Sequence, residues 1–259
     1  MIVSRIIIIL LLFVAGGGIV GSVQAQISPP GLGNGRAALW SAIGLRTHLD
    51  TLGKKESLTY LGWGRKSDQN RMNPVANQAI WVLNHEVYHK FAPHQQYSYA
   101  LSYRRQTAYN EEAPFEREGI EQEFRLYGRY AYSFSLAKRW TWKNTIRQEF
   151  RKFFRSDFGS TPENFQFRTR IKSQVSYSLS EVKKRSLMFS VEELFAISRM
   201  ADRWTSYQDK ETRVSLYYRF NWKHLPIETD IGYANDFIRG FNSGVGGVHY
   251  LAWDMIWNL

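Results

Sequence analysis

Three groups of residues in this chain have types and spacings that could do chemistry. The first is "HEVYH", His85 to His89, which matches H-E-x-x-H, the zinc-peptidase signature. That chemistry requires a helix, on which His85 and His89 lie one turn apart and share a metal while Glu86 activates water. On a strand the two imidazoles point the same way but stand about 13 Å apart, from a rise of about 3.3 Å per residue, and one zinc cannot bridge them. The stretch "NQAIWVLNHEVYHKFAPHQ" can be written as a helix. Lys90, however, follows the second histidine where zincins usually carry an uncharged residue, and no convincing third ligand lies downstream. The expectation is a strand with two polar positions near an interface, with no metal and no cofactor.

The second group would be a serine and a histidine two residues apart on a strand, the arrangement by which outer-membrane lipases and deacylases activate a nucleophile. None of the six histidines has a serine at that spacing. A pair assembled from different strands stays open, but no residue points to one, and no catalytic residue is assigned.

The third group is a set of charges that share strand faces. Glu121, Glu123, Arg125 and Arg129 lie on one face, and so do Lys143, Arg147, Glu149 and Arg151. Arg168, Arg170 and Lys172 line the next segment, and Arg213 and Arg219 a later one; Glu228, Asp230, Asp236 and Asp254 could supply acidic partners. Two readings follow. Buried charges must be paired, so these groups can neutralise one another as a network filling a narrow barrel, and this is the favoured reading. Rings of Arg and Lys also select negative solutes, so the same face could guide a small anion.

The elements that must position these charges are strands. From Trp40 onward the dominant period is two, as in "YSYALSYRRQTAY", where Tyr97, Tyr99, Leu101 and Tyr103 alternate with Ser98, Ala100, Ser102 and Arg104. Eleven such segments are predicted: 39–49, 56–65, 79–91, 96–109, 120–134, 140–154, 165–179, 187–196, 211–222, 227–239 and 248–259. Short links such as "SLAKR", "SEVKKRS" and "KHLP" alternate with longer ones such as "NEEAPFEREG", "RSDFGSTPEN" and "SRMADRWTSYQD". That alternation is what an up-and-down transmembrane barrel requires. Tyr132, Phe134, Trp140, Trp142, Tyr177 and Trp222 crowd the short links like an interfacial girdle.

An even strand count is usual for single-chain bacterial barrels. A twelfth strand is therefore expected between Gln26 and Arg36, with ten strands the next choice, and Asp68 to Asn77 is expected to hold a turn or a short helix. The competing fold is a soluble periplasmic all-β binding protein, in which the bulky face would be the core and the charged face would meet water.

The chain opens with Arg5, the apolar block "IIIILLLFV", glycines and "SVQAQ", which fits a signal peptide over 1–25 cleaved after Ala25. An uncleaved anchor is the alternative. Residues 26–38 then form an N-terminal segment and 39–259 the barrel. No cysteine is present, so packing and backbone pairing must hold the fold. The net charge of +11 would suggest nucleic acid, but export argues against that partner and favours anionic lipid head groups.

The chain ends on "LAWDMIWNL", which places Leu251, Trp253, Met255, Trp257 and Leu259 on one face, expected to meet lipid. This ending resembles the closing strand of bacterial outer-membrane proteins. The resemblance implies recognition by the barrel-assembly machinery, although those proteins usually finish on Phe or Trp and this one on Leu259. "LWSAIGLRTHL", "EFRLYGRYAYSF" and "IGYANDFIRG" further resemble a family of exported bacterial proteins of unknown function thought to be outer-membrane barrels. That resemblance implies a location and no reaction. The expected protein is a monomeric outer-membrane barrel of 10–12 antiparallel strands without intrinsic catalysis, serving as a small pore or as a structural or envelope-interaction element. The alternative is an outer-membrane enzyme acting on lipid or peptide.

Overall fold

The computed structural model describes residues 27–33, 35–110, 113–180, 184–238 and 247–259; the expected signal peptide lies outside them. Among the described residues eleven long strands follow the segments read from the alternating pattern. They are β1 (Ala37–His48), β2 (Lys55–Lys66), β3 (Asn77–Ala92), β4 (Gln95–Tyr109), β5 (Arg117–Ala137), β6 (Trp140–Arg155), β7 (Ser160–Ser180), β8 (Arg185–Met200), β10 (Gln208–Asn221), β11 (Ile227–Ile238) and β12 (Gly247–Asn258). β9 (Arg203–Trp204) is a two-residue appendage on β8.

Each long strand pairs antiparallel with its neighbour, and β10 takes the place beside β8. The ring closes between β1 and β12, which run parallel from Ala37 opposite His249 to Arg46 opposite Asn258. An odd number of alternating strands leaves the first and last pointing the same way, so one parallel pair is the geometric consequence. The expected wholly antiparallel barrel is corrected at this seam.

The expected twelfth strand is corrected too. Residues 27–33 carry no strand pairing and run inside the barrel as a strap. Ile27 and Leu32 are buried. Ile27, Ser28 and Pro29 share a void with Leu58, Glu86 and Tyr88, towards the end where β2 begins. Gly35 packs against Lys66 and Ser67 at the opposite end, where the hydroxyl of Ser67 accepts from the N–H groups of Arg36 and Ala37. The chain thus crosses from one half of the barrel to the other end through the interior, then turns into β1. "SPPGLGNG" explains why it does not join the wall, because two prolines lack ladder donors and the glycines offer no side chains to a sheet face.

Alternation decides which side of the wall each residue faces. The outer face carries Ile43, Leu45, Leu61, Leu83, Leu101, Leu126, Ile146, Phe150, Leu216 and Ile231, all exposed. The inner face carries small, aromatic and charged residues. Trp40, Ala42, Tyr217, Ala234, Tyr250 and Ala252 form the apolar part of the interior around β10–β12 and β1. Bulky rings fit there because glycine faces them: a Cβ on Gly62 would meet the indole of Trp40, and one on Gly232 the ring of Tyr217.

The two ends differ. At the turn end the links span 49–54, 93–94, 138–139, 181–184 and 222–226. At the loop end they span 67–76, 110–116, 156–159 and 201–207, and β12 begins there at Gly247. The expected long loop at "RSDFGSTPEN" is instead a tight hairpin, in which Arg155 N–H donates to Gly159 over 2.9 Å and Phe154 pairs with Ser160. Segment 68–76 holds turns and no helix.

Candidate functional site: the charged interior

The inward positions of β4 to β7 include Arg104, Arg125, Arg129, Lys143, Arg147, Arg151, Arg168, Arg170 and Lys172, interspersed with the carboxylates of Glu123 and Glu149. Pairing register brings like charges directly opposite one another. Arg129 faces Arg147, which faces Arg170, and Arg125 faces Arg151. Like charges so placed repel, and carboxylates inserted between them hold the wall together.

Glu149, fully buried on β6, is the hub. Its carboxylate lies 3.1 Å from Arg125, 2.8 Å from Arg147 and 3.1 Å from Arg170. Glu123 takes Arg125 at 2.7 Å and Arg151 at 2.6 Å. Arg170 also reaches Glu192 of β8 at 3.1 Å. The guanidinium of Arg147 stacks over the Tyr127 ring at 3.7 Å, a cation–π contact that further offsets its charge.

The opposite wall, β10 to β12 with β1, is richer in acid. Arg213 pairs with Asp236 and, at 2.9 Å, with Glu211. Arg219 pairs with Asp230 at 2.6 Å and with Glu228 at 3.5 Å, and Glu228 also takes Arg46 at 3.4 Å. Asp254 lies directly opposite Asp230 and accepts from the indole N–H of Trp40 over 3.0 Å. Asp254 was expected to balance an arginine, and its bonded partner is an indole.

The strap lies against this acidic wall. Leu32 N–H donates to the Tyr250 hydroxyl over 2.9 Å, Arg213 donates to the carbonyl of Pro29, and the Lys66 ammonium donates to that of Leu32 over 3.3 Å. Beside residues 27–29 a polar void of about 20 Å³ remains, facing Arg104, Arg129, Arg147 and Arg170.

Of the residues picked out from the sequence, Glu123, Arg125, Arg129, Arg147, Glu149, Arg168, Arg170, Arg213 and Arg219 all project inward. Glu121 does not join the network: it is exposed at the loop end, where it lines a cup of about 530 Å³ with Glu163, Lys66, Asp68 and Tyr109. Leu251, Trp253, Met255 and Trp257 share the outer face of β12 and Leu259, exposed, follows just beyond its end, while Val248, Tyr250, Ala252, Asp254 and Ile256 are buried inside.

Sequence reasoning missed Arg46, Arg104, Glu86, Glu192 and Glu211. Glu86 was read only within "HEVYH", and the structure splits that motif across the wall. His85 and His89 face outward, where His85 bonds the Thr59 hydroxyl over 2.8 Å and His89 stacks on Tyr97. Glu86 faces inward, accepting from Ser98 over 2.6 Å and Tyr127 over 2.8 Å, with Arg129 at 3.4 Å. Two histidines on one side of a sheet and the glutamate on the other cannot form a zincin centre. Glu192 stands next to Glu193, and only the register tells that the first points in and the second out to Thr212.

Fold and interior together define a closed β-barrel with apolar groups outside, ion pairs inside and its own N-terminal strap through the middle. No protein-family model matches the chain, and no curated protein matches it either.

Proposed function

We propose that this barrel crosses the bacterial outer membrane and serves there as a closed structural or envelope-interaction element, without catalysis of its own. One observation carries the reading: the polarity of the barrel is inverted relative to a protein in water. Large apolar side chains stand exposed all round the outside, with Leu101 60% and Leu126 57% exposed, while Arg125, Glu149 and Asp236 are fully buried inside. A soluble barrel would place these classes the other way round.

The aromatic residues support a bilayer. Tyr132, Phe134 and Trp142 form one cluster at the turn end, with Trp140 against Tyr177 nearby. Tyr103, Phe124, Phe154 and Phe158 form another at the loop end. On β5 the clusters are ten residues apart at Phe124 and Phe134, about 33 Å along a strand and about 25 Å along the axis of a barrel with ordinary tilt. An apolar band of about 25 Å between aromatic girdles is the outer-membrane pattern.

With the C-terminal strand ending on the periplasmic side, the strap carries the chain from the periplasmic half to the outer face through the lumen. The closed ring leaves no unpaired edge, which suits a monomer. Paired charges and the strap favour a closed lumen over an anion path.

The test is to refold the mature chain in detergent and record gel migration with and without boiling, then reconstitute it in a planar bilayer. A heat-modifiable band and a silent bilayer are expected. A chain that is soluble without detergent and unshifted by heat would overturn the membrane reading, and stable anion-selective steps would overturn the closed lumen.

A further inference from the structure

The row Arg129, Arg147, Arg170 places three guanidiniums side by side on neighbouring strands, and all three line the void under the strap. Arg104 lines it as well. Arg104 is 7% exposed, its Nε finds no hydrogen-bond partner, and no carboxylate lies within ion-pairing distance among the described residues. Asn84, 1% exposed, lines it too. The single carboxylate in the lining among the described residues, Glu86, is already engaged by Ser98, Tyr127 and Arg129. Buried donors and an uncompensated buried cation are costly unless something negative satisfies them.

The geometry points to a binding site for a monatomic anion, a halide such as chloride, held between Arg104, Asn84 and the Arg129–Arg147–Arg170 row beneath strap residues Ile27 to Pro29. The size selects the ligand. A space of about 20 Å³ accommodates one water-sized particle, and a monatomic anion is the ligand nearest that size. The anion offsets the surplus positive charge of the β4–β7 wall at the point where strap and wall meet, so its binding and the seating of the strap are coupled. The site depends on the charged interior and not on where the barrel resides.

The experiment is chloride-35 NMR line width on the detergent-refolded, mature full-length protein, titrated with sodium chloride against a sodium gluconate background. Excess broadening is expected for the wild type. Arg104→Met should remove it, and Arg104→Lys, which keeps the charge and loses the paired terminal donors of the guanidinium, should weaken binding by about tenfold, the scale of one charge-assisted hydrogen bond. Arg168→Met changes an inner-wall arginine outside the void and should retain the broadening. Heat-modifiable migration monitors folding of each variant; if Arg104→Met does not fold, Arg104→Lys carries the comparison. No broadening in the folded wild type means water fills the void, and equal loss in Arg104→Met and Arg168→Met means diffuse attraction to the wall; either result overturns the site. Failure of the wild type to show heat-modifiable migration would instead count against the membrane barrel.

Discussion

Leu32 and Tyr250 are joined by a buried hydrogen bond of 2.9 Å between a backbone N–H and a phenol oxygen, across 218 residues of sequence. This contact, with those of Arg213 and Lys66, holds an unpaired segment inside a barrel whose wall is complete without it. Tyr250→Phe leaves a buried N–H without an acceptor, at a cost of about 1–3 kcal/mol. Hydrogen exchange over residues 27–33 should accelerate while the wall strands stay protected. Equal acceleration in β1 and β12 would show that the strap is integral to the ring.

Removing the strap tests the closed lumen directly. A chain beginning at Arg36 and refolded from denaturant should keep heat-modifiable migration, because every wall strand retains both neighbours. An eleven-stranded ring is wider than the roughly eight strands whose interior side chains just fill the space. The truncated barrel should therefore show conductance steps in a planar bilayer that the complete chain lacks. A silent truncated barrel would locate the block in the ion-pair network alone.

Glu149→Gln should be the most damaging single change in the interior. It strips the shared carboxylate from Arg125, Arg147 and Arg170, leaving buried guanidiniums under-compensated, and breaking such a pair costs about 3–5 kcal/mol. The urea midpoint of refolding should fall accordingly. Glu121→Gln, at the exposed rim, should stay within about 0.5 kcal/mol of the wild type.

Outer-face and inner-face substitutions should diverge. Ile146 faces Tyr130 across the β5–β6 pair, near the middle of the apolar belt between Phe124 and Phe134. Ile146→Arg should destabilise the barrel in lipid vesicles by about 2–4 kcal/mol, the cost of a cation near the bilayer midplane. In a soluble protein, placing Arg at so exposed a position would be nearly neutral, so vesicle-folding titrations separate the two cases.

Gly62→Ala tests the packing of the interior wall. The added methyl enters the space of the Trp40 indole, whose N–H is committed to Asp254, so the ring cannot swing away freely. A loss of about 1–3 kcal/mol is expected from overpacking. In a Trp40→Phe background, where the smaller ring leaves room, the same glycine change should cost less, and that difference between the two backgrounds would confirm that ring volume is the cause.

By itself the sequence determined the eleven wall segments and, along most of each strand, the side its residues face; Glu121, at the exposed rim, is an exception. A strand's period of two is local, and each segment here writes it plainly, as Tyr97, Tyr99 and Leu101 do against Ser98, Ala100 and Ser102. The inward arginines and the outward terminal stripe follow from that same parity. Register and closure were decided only by the tertiary structure, because they depend on which residues of different strands come side by side. Register set Arg129, Arg147 and Arg170 in one row and gave Glu149 three partners; it also divided His85 and His89 from Glu86 across the wall. Closure resolved the odd strand count through a parallel seam. The strap lay outside any local rule: residues 27–33 have no periodicity, and their place in the interior rests on contacts with Tyr250, Arg213 and Lys66, far away in sequence.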